Sequence, residues 1–209
     1  MDGDVFDMEN ENHLLDGARI YHRNERNGAP LLMLEKGIAA KLFLKKNKLL
    51  HFIRVATKTT KAHKHWAAAQ TLSELGLNTP KPLEVKVFDG RGKFEASFHY
   101  EFLEEAEPLR EALLKRERQP LLSKLASDLI IMYKSGVLFM DFHLGNVLVD
   151  PVGKLYWIDL EFTYNEKRVV SQFWLRMERM HRKCDLGLLS EDEWEFFCQQ
   201  LKVGLNRPN

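Results

Sequence analysis

Three residues carry the chemistry this chain offers. Asp141 and Asn146 stand five residues apart in the run Met140-Asp141-Phe142-His143-Leu144-Gly145-Asn146, and Asp159 follows thirteen residues after Asn146 at the end of an apolar segment. A carboxylate, an amide and a second carboxylate in that order suit metal-assisted phosphoryl transfer. Asp141 would orient an acceptor hydroxyl and take its proton. Asn146 and Asp159 would supply oxygen ligands to Mg²⁺ bridging the nucleotide phosphates. A polar turn capping a helix would explain any one of these residues, because Asp and Asn favour turns for local reasons. It does not explain the spacing to a carboxylate on a hairpin. His143 lies inside the loop and would brace it or be a satisfied histidine; of the two, bracing is expected. An iron site built on Asp141 and His143 has the usual H-x-D order reversed and lacks an evident second His.

The elements that must hold these residues can be read on either side of them. Val147-Leu148-Val149, the turn Asp150-Pro151-Val152-Gly153 and Leu155-Tyr156-Trp157-Ile158 form a hairpin. Its pairing brings Asn146 and Asp159 together, since each flanks the open end of the same two strands. Before the loop, Pro120 marks a first helical position, and Leu121, Leu122, Leu125, Leu129 and Met132 lie on one face of a helix ending near Gly136. After it, helices are expected over 169–183 and 190–201, the second opened by a Ser190/Glu193 capping box.

The first half reads differently. Strands are expected over 17–22, 31–34 and 38–44, with a turn at 24–30. Lys45, Lys46 and Lys48 read as a solvated turn. Thr59 or Thr60 caps a helix running to about Leu75, stopped by Gly76 and Pro80. Strands over 83–88 and 94–102 flank the turn Asp89-Gly90-Arg91-Gly92. The expected architecture is an α+β fold of two lobes. A small antiparallel sheet lobe with one helix spans 17–102, and a mostly helical lobe spans 103–209. Residues 1–16, with six acids and no Lys or Arg, are expected to be poorly ordered.

The D-x-H-x-x-N form at Asp141, His143 and Asn146, with Asp159 beyond it, resembles the small-molecule branch of the protein-kinase-like fold, which includes aminoglycoside phosphotransferases and choline kinases. The resemblance is nearer to the bacterial lipopolysaccharide core kinases, the family of heptose and keto-deoxy-octulosonic acid kinases. It rests on Lys61-Ala62-His63-Lys64-His65-Trp66, on the run from Leu75 to Leu83, and on Ile158-Asp159-Leu160-Glu161. It covers about Gly37 to Leu201. It implies a nucleotide-binding first lobe, ATP and Mg²⁺ as cofactors, and a sugar hydroxyl of the lipopolysaccharide inner core as acceptor. Ala39 and Lys41 resemble the kinase V-A-I-K strand, whose Lys pairs with the α- and β-phosphates. A Lys inside an apolar strand also wants an anionic partner on energetic grounds alone. The junction from Glu101 to Glu105 resembles the kinase hinge, so backbone groups of Glu101 and Leu103 would hold adenine.

Three positions depart from the family pattern. The helix acid that pairs with the strand Lys falls on His65, the residue two before Asp141 is Phe139, and the first hairpin has Gly28 without a glycine-rich loop. A kinase-fold scaffold without turnover, or an atypical protein kinase or ATPase, are the competing readings. No A-P-E sequence follows Asp159, so a small hydroxyl acceptor suits the site better than a peptide. Arg168, Arg176, Arg179, Arg182 and Lys183 would contact an anionic acceptor or line an exposed helix face.

Composition sets the remaining bounds. The 209 residues, 24.4 kDa, are 44% hydrophobic and 29% charged with a net charge of +1, an ordinary globular balance. A chain of this size buries about 70% of its surface on folding. No apolar run reaches the length of a membrane span and the start is acidic, so a cytoplasmic protein is expected. Cys184 and Cys198 are expected to be reduced and structural. Between Glu35 and Glu74 there is no acid but nine Lys or Arg, a field that attracts phosphates. No nucleic-acid partner is expected. Leu49, Leu50, Phe52 and Ile53 lie within the basic stretch Lys45 to Lys64, which suits weak, salt-sensitive contact with an anionic membrane; alternatively these residues bury in the small lobe.

Overall fold

The structure, a computed structural model, describes residues 19–23, 30–34, 37–45, 47–88 and 92–205. The expected N-terminal segment 1–16, most of the 24–30 turn with Gly28, and three of the four residues of the 89–92 turn lie outside them. The chain divides into two compact units. One holds the described residues up to Trp66 together with Lys81–Phe102, and the other holds Ala67–Pro80 with the residues from Leu103 onward.

The first unit is built on a five-stranded antiparallel sheet of β1 (Arg19–Arg23), β2 (Pro30–Leu34), β3 (Ile38–Leu44), β4 (Pro82–Val87) and β5 (Phe94–Glu101), in the order β1-β2-β3-β5-β4. β3 lies at the centre because its apolar run can be covered on both faces. Ala40 and Leu42 pack with Leu32, Phe88 and Phe94 on one side, with Leu34 and Leu44 against them. Ala39, Lys41 and Phe43 point to the other side, opposite Tyr100, Phe98 and Ala96 of β5.

Two helices, not one, lie between β3 and β4 in the chain. Where a solvated lysine turn was expected, α1 (Lys48–Ala56) forms. Its N-cap is Asn47, whose side chain accepts from the amides of Leu49, 2.9 Å, and Leu50, 3.3 Å. An Asn among lysines reads as turn chemistry, and the same side chain is a strong helix cap. α2 (Lys61–Glu74) starts at Thr60, whose hydroxyl accepts from the His63 amide.

In the second unit α3 (Leu109–Lys115) and α4 (Arg118–Lys134) precede the catalytic-type loop. The buried face of α4 contains Leu121, Leu122, Leu125, Leu129 and Met132, the expected stripe, though the helix begins two residues before Pro120. Gly136 closes it at φ +70, a conformation that favours glycine. α5 (Glu166–Arg179) is shorter than the expected 169–183 helix. A π turn over Met180–Cys184 replaces its last residues and releases Asp185 from helical geometry. α6 (Glu191–Gly204) packs on α4 and carries the expected capping box, with Glu193 N donating to Ser190 Oγ at 3.3 Å and Ser190 N to Glu193 Oε2 at 2.8 Å. Both cysteines are free, and burial pushes the Cys198 thiol up to about 11, so it is no nucleophile at neutral pH.

Candidate active site

Five short strands of the second unit position the loop. β6 (Glu107–Pro108) pairs with β8 (Val147–Val149), and β8 pairs with β9 (Leu155–Trp157) as the expected hairpin, with Val147 opposite Trp157. Asp150 shapes its turn, its carboxylate accepting from the amides of Val152 and Lys154 at 3.1 and 2.8 Å. β7 (Leu138–Phe139) pairs with β10 (Phe162–Thr163), Phe139 lying opposite Phe162. Phe139, which stands where the family pattern has a polar residue, is fully buried against Phe142, Trp157 and Phe162. It is a core residue of the loop's platform.

Two segments thus leave this platform side by side, 140–146 after β7 and 158–161 between β9 and β10. Backbone hydrogen bonds lace them at both ends: Met140 N donates to Glu161 O at 2.8 Å, and Ile158 N donates to Asn146 O at 3.0 Å. The backbone of Asn146 is therefore bonded to the residue before Asp159, and Asp141 follows the residue bonded to Glu161. Asn146 is fixed further, its amide Nδ2 donating to the Asp141 carbonyl at 2.9 Å while its backbone N–H donates to His143 O. Only the NH₂ side of the amide can donate to a carbonyl, so the Asn146 Oδ1 is turned away as an acceptor. Asp159 sits at φ +58, a left-handed conformation that Asp tolerates better than most residues and that collects at functional sites. Asp141 itself is exposed to solvent.

An amide oxygen and a carboxylate are the hard donors Mg²⁺ takes. Among the described residues no three His, Cys, Asp or Glu side chains gather as a metal-holding group. Mg²⁺ at nucleotide sites takes one or two protein ligands and completes its shell with phosphate and water. The donor set fits the cofactor.

The His143 Nδ1 is buried without a hydrogen-bond partner, and burial holds the pKa of the ring below the ordinary value against the opposing pull of Asp141 and Asp185. Two residues downstream hold the loop by hydrogen bonds. The buried Asp185 accepts the Leu144 amide on Oδ2 at 2.8 Å, and Arg110 from α3 approaches its Oδ1 at 3.6 Å. Gly145 lets that guanidinium pass, because a Cβ there would meet Arg110 Nη2 at 2.9 Å. Arg176 donates to the Met140 carbonyl at 2.8 Å, so this arginine of the basic set supports the loop. Arg168, Arg179, Arg182 and Lys183 are exposed. Sequence reasoning missed Asp185 because it was counted into the turn between two helices. Its being an acid right after the basic run Arg176 to Lys183 was the available signal.

Ala39 and Lys41 lie on the face of β3 opposite the Leu42 core. Lys41 is half-buried opposite Phe98, with Nζ 5.6 Å from the Phe43 ring centroid, and Ala39 is fully buried. Glu101 ends β5, exposed, its amide donating to Lys81 O at 3.0 Å. Leu103 opens the second unit, and its carbonyl accepts from Ala106 N at 3.2 Å. His65, in the place of the family's helix acid, packs between Phe43 and Phe98 at ring distances of 5.0 and 5.8 Å. Burial first, then the charges of Lys41 and Lys61, hold its pKa well below 6.5. It is a neutral ring here and supplies no negative charge to the Lys41 side of the sheet.

This sets a pH prediction. The unfolded chain takes up a proton at His65 near its ordinary pKa, and the folded chain refuses it until a lower pH. The contribution of this group is therefore complete above about pH 6.5 and is lost as pH falls below it. His65→Leu should flatten the fall in denaturation midpoint between about pH 7.5 and 5.5. Equal slopes for variant and wild type would show that other groups carry it.

Comparison with known proteins follows this geometry. No curated protein sequence matches the chain. The fold is that of crystal structures of WbdD: one at 2.2 Å has a TM-score of 0.52 at 13% identity over 90% of this chain, and monomeric WbdD has 0.52 at 17% over 84%. The structure of WbdD described as a bifunctional kinase-methyltransferase has a TM-score of 0.50 at 14% identity over 87% of this chain. The chain spans less than half of those proteins, 46%, 44% and 43% of their lengths. At such identities the likeness establishes the fold, α+β and kinase-like. The model of the lipopolysaccharide kinase (Kdo/WaaP) family matches residues 16–200, nearly the whole chain, and the chain belongs to that family.

Proposed function

We propose that this chain is an ATP- and Mg²⁺-dependent phosphotransferase acting on a sugar hydroxyl of a lipopolysaccharide inner-core glycolipid. The observation that carries the reading is the double lacing of segments 140–146 and 158–161, which holds a solvent-facing carboxylate beside an oriented amide oxygen and a second carboxylate. Bound Mg²⁺-ATP supplies the phosphoryl group and neutralises the charge that develops on it. Asp141 accepts the proton of the attacking hydroxyl and aims its oxygen. Asn146 and Asp159 are the side chains that would hold the metal, and Lys41 beside the fully buried Ala39 would meet the nucleotide phosphates. In this reading the first unit is the nucleotide lobe, and the backbone around Glu101 and Leu103 receives adenine. His143 acts through its carbonyl, which fixes Asn146.

Transfer of labelled phosphate from ATP onto a panel of truncated lipopolysaccharide cores tests this. Labelling of one core and not of the core lacking a single sugar would support the reading and name the acceptor; labelling of protein but not glycolipid would overturn it. A scaffold without turnover is the second reading, favoured by the neutral His65 in place of the helix acid. Nucleotide binding without phosphate transfer to any core would select it. A lipid-linked acceptor would bring the chain to a membrane surface, and none of its described helices is long and apolar enough to cross one.

A further inference from the structure

α1 is turned inside out. Leu49, Phe52, Ile53 and Ala56 recur at the spacing that makes one helical stripe, and that stripe faces solvent. Leu49 is 70% exposed, Phe52 63%, Ile53 51%, and Leu50 beside them 44%. The side turned to the sheet is the polar one. His51 is buried and its Nε2 shares a hydrogen bond with Phe88 O at 3.1 Å, and Arg54 reaches the buried Glu95 at 3.5 Å. Rolling the helix to bury its leucines would break both contacts and leave the Glu95 carboxylate without Arg54. The outward apolar face is therefore fixed by the packing beneath it.

We infer that α1 is a bilayer-docking helix, its Leu49-Phe52-Ile53 stripe entering the surface of a membrane that contains anionic lipid. Charge selects this occupant. The 38 residues between Glu35 and Glu74 hold no acid, and Lys58, Lys61 and Lys64, just past the helix, are exposed. An apolar stripe with charges of one sign around it is the pattern of helices that lie in the headgroup region. A second copy would set one basic face against another, which like-charge repulsion opposes. Nine residues span about 14 Å, enough to lie in the interface and too short to cross it. The docking rests on the glycolipid reading only for its purpose, since it is the face that would bring the chain to a lipid-linked acceptor.

Co-sedimentation of the full chain with vesicles tests it without any turnover, so its failure and that of the kinase reading are distinguishable. Binding is expected to vesicles of phosphatidylcholine with phosphatidylglycerol, with at least about tenfold less to phosphatidylcholine alone, and to weaken at high salt. Leu49→Ser/Phe52→Ser/Ile53→Ser should lose about tenfold in partitioning with its thermal midpoint kept, since these side chains are exposed. Lys58→Glu/Lys61→Glu/Lys64→Glu should lose the preference for anionic vesicles. Equal binding to both vesicles, no binding at low salt, or unchanged binding by the serine variant would each overturn the inference. Binding that appears only after removal of residues 1–16 would give the face to that acidic segment. A dimer that the serine variant breaks would give it to a second copy. Either result overturns it too.

Discussion

Asp141→Asn is expected to lower phosphate-transfer turnover by roughly 10²–10⁴-fold while nucleotide affinity stays near that of the wild type. The substitution separates two roles of the residue. The Asp141 main-chain carbonyl holds the Asn146 amide, and an Asn at 141 keeps that carbonyl and the side-chain volume. What disappears is the basic oxygen. The lacing to 158–161 runs through Met140 and Asn146 and is untouched, so a metal held by Asn146 and Asp159 should bind as before. The measurement is kcat with a glycolipid acceptor beside the dissociation constant for nucleotide. Near wild-type turnover would move the base elsewhere, and Glu161, exposed and two residues past Asp159, is the first alternative.

Much of this site could be read from residue order because its geometry is local. Asn146 and Asp159 meet through one short hairpin, and alternation with a tight turn specifies such a hairpin in sequence. β3 was legible for a similar reason: seven residues, nearly all apolar, have one comfortable environment at the centre of a sheet. The parts that were not legible depend on contacts distant in sequence. Asp185 reaches Leu144 across 41 residues, and Arg176 reaches Met140 across 36. No periodicity announces either pairing, so these two supports of the loop were invisible in the sequence. α1 was lost for another reason. Leu49, Phe52, Ile53 and Ala56 do recur at helical spacing, but Asn47 among the lysines was read as turn chemistry, and the contacts that turn the stripe outward, His51 with Phe88 and Arg54 with Glu95, are distant in sequence.

Asp159 carries the second large effect. Saturating Mg²⁺-ATP should raise the thermal midpoint of the wild type, because a ligand that binds only the native state adds about 2.7 kcal/mol at a hundredfold excess over its Kd. For a chain of this length that corresponds to about 5–10 °C. Asp159→Ala should remove most of the shift, yet it also changes the ligand-free protein. Alanine at φ +58 is strained where Asp is tolerated, so its own midpoint should fall by an amount equivalent to about 1 kcal/mol. Asp159→Asn resolves the two effects. Asparagine accepts the left-handed backbone and keeps an oxygen, so its ligand-free midpoint should match the wild type, while the lost charge weakens the hold on a divalent ion. The Asn variant should therefore respond alike to ATP with and without Mg²⁺, where the wild type responds much more strongly with the metal. A wild type that shows no shift with Mg²⁺-ATP would count against nucleotide chemistry at this site altogether. An Asn variant with the full metal-dependent shift would instead move the metal's carboxylate away from Asp159, leaving Asp141 and Glu161 as the other acids of the laced segments.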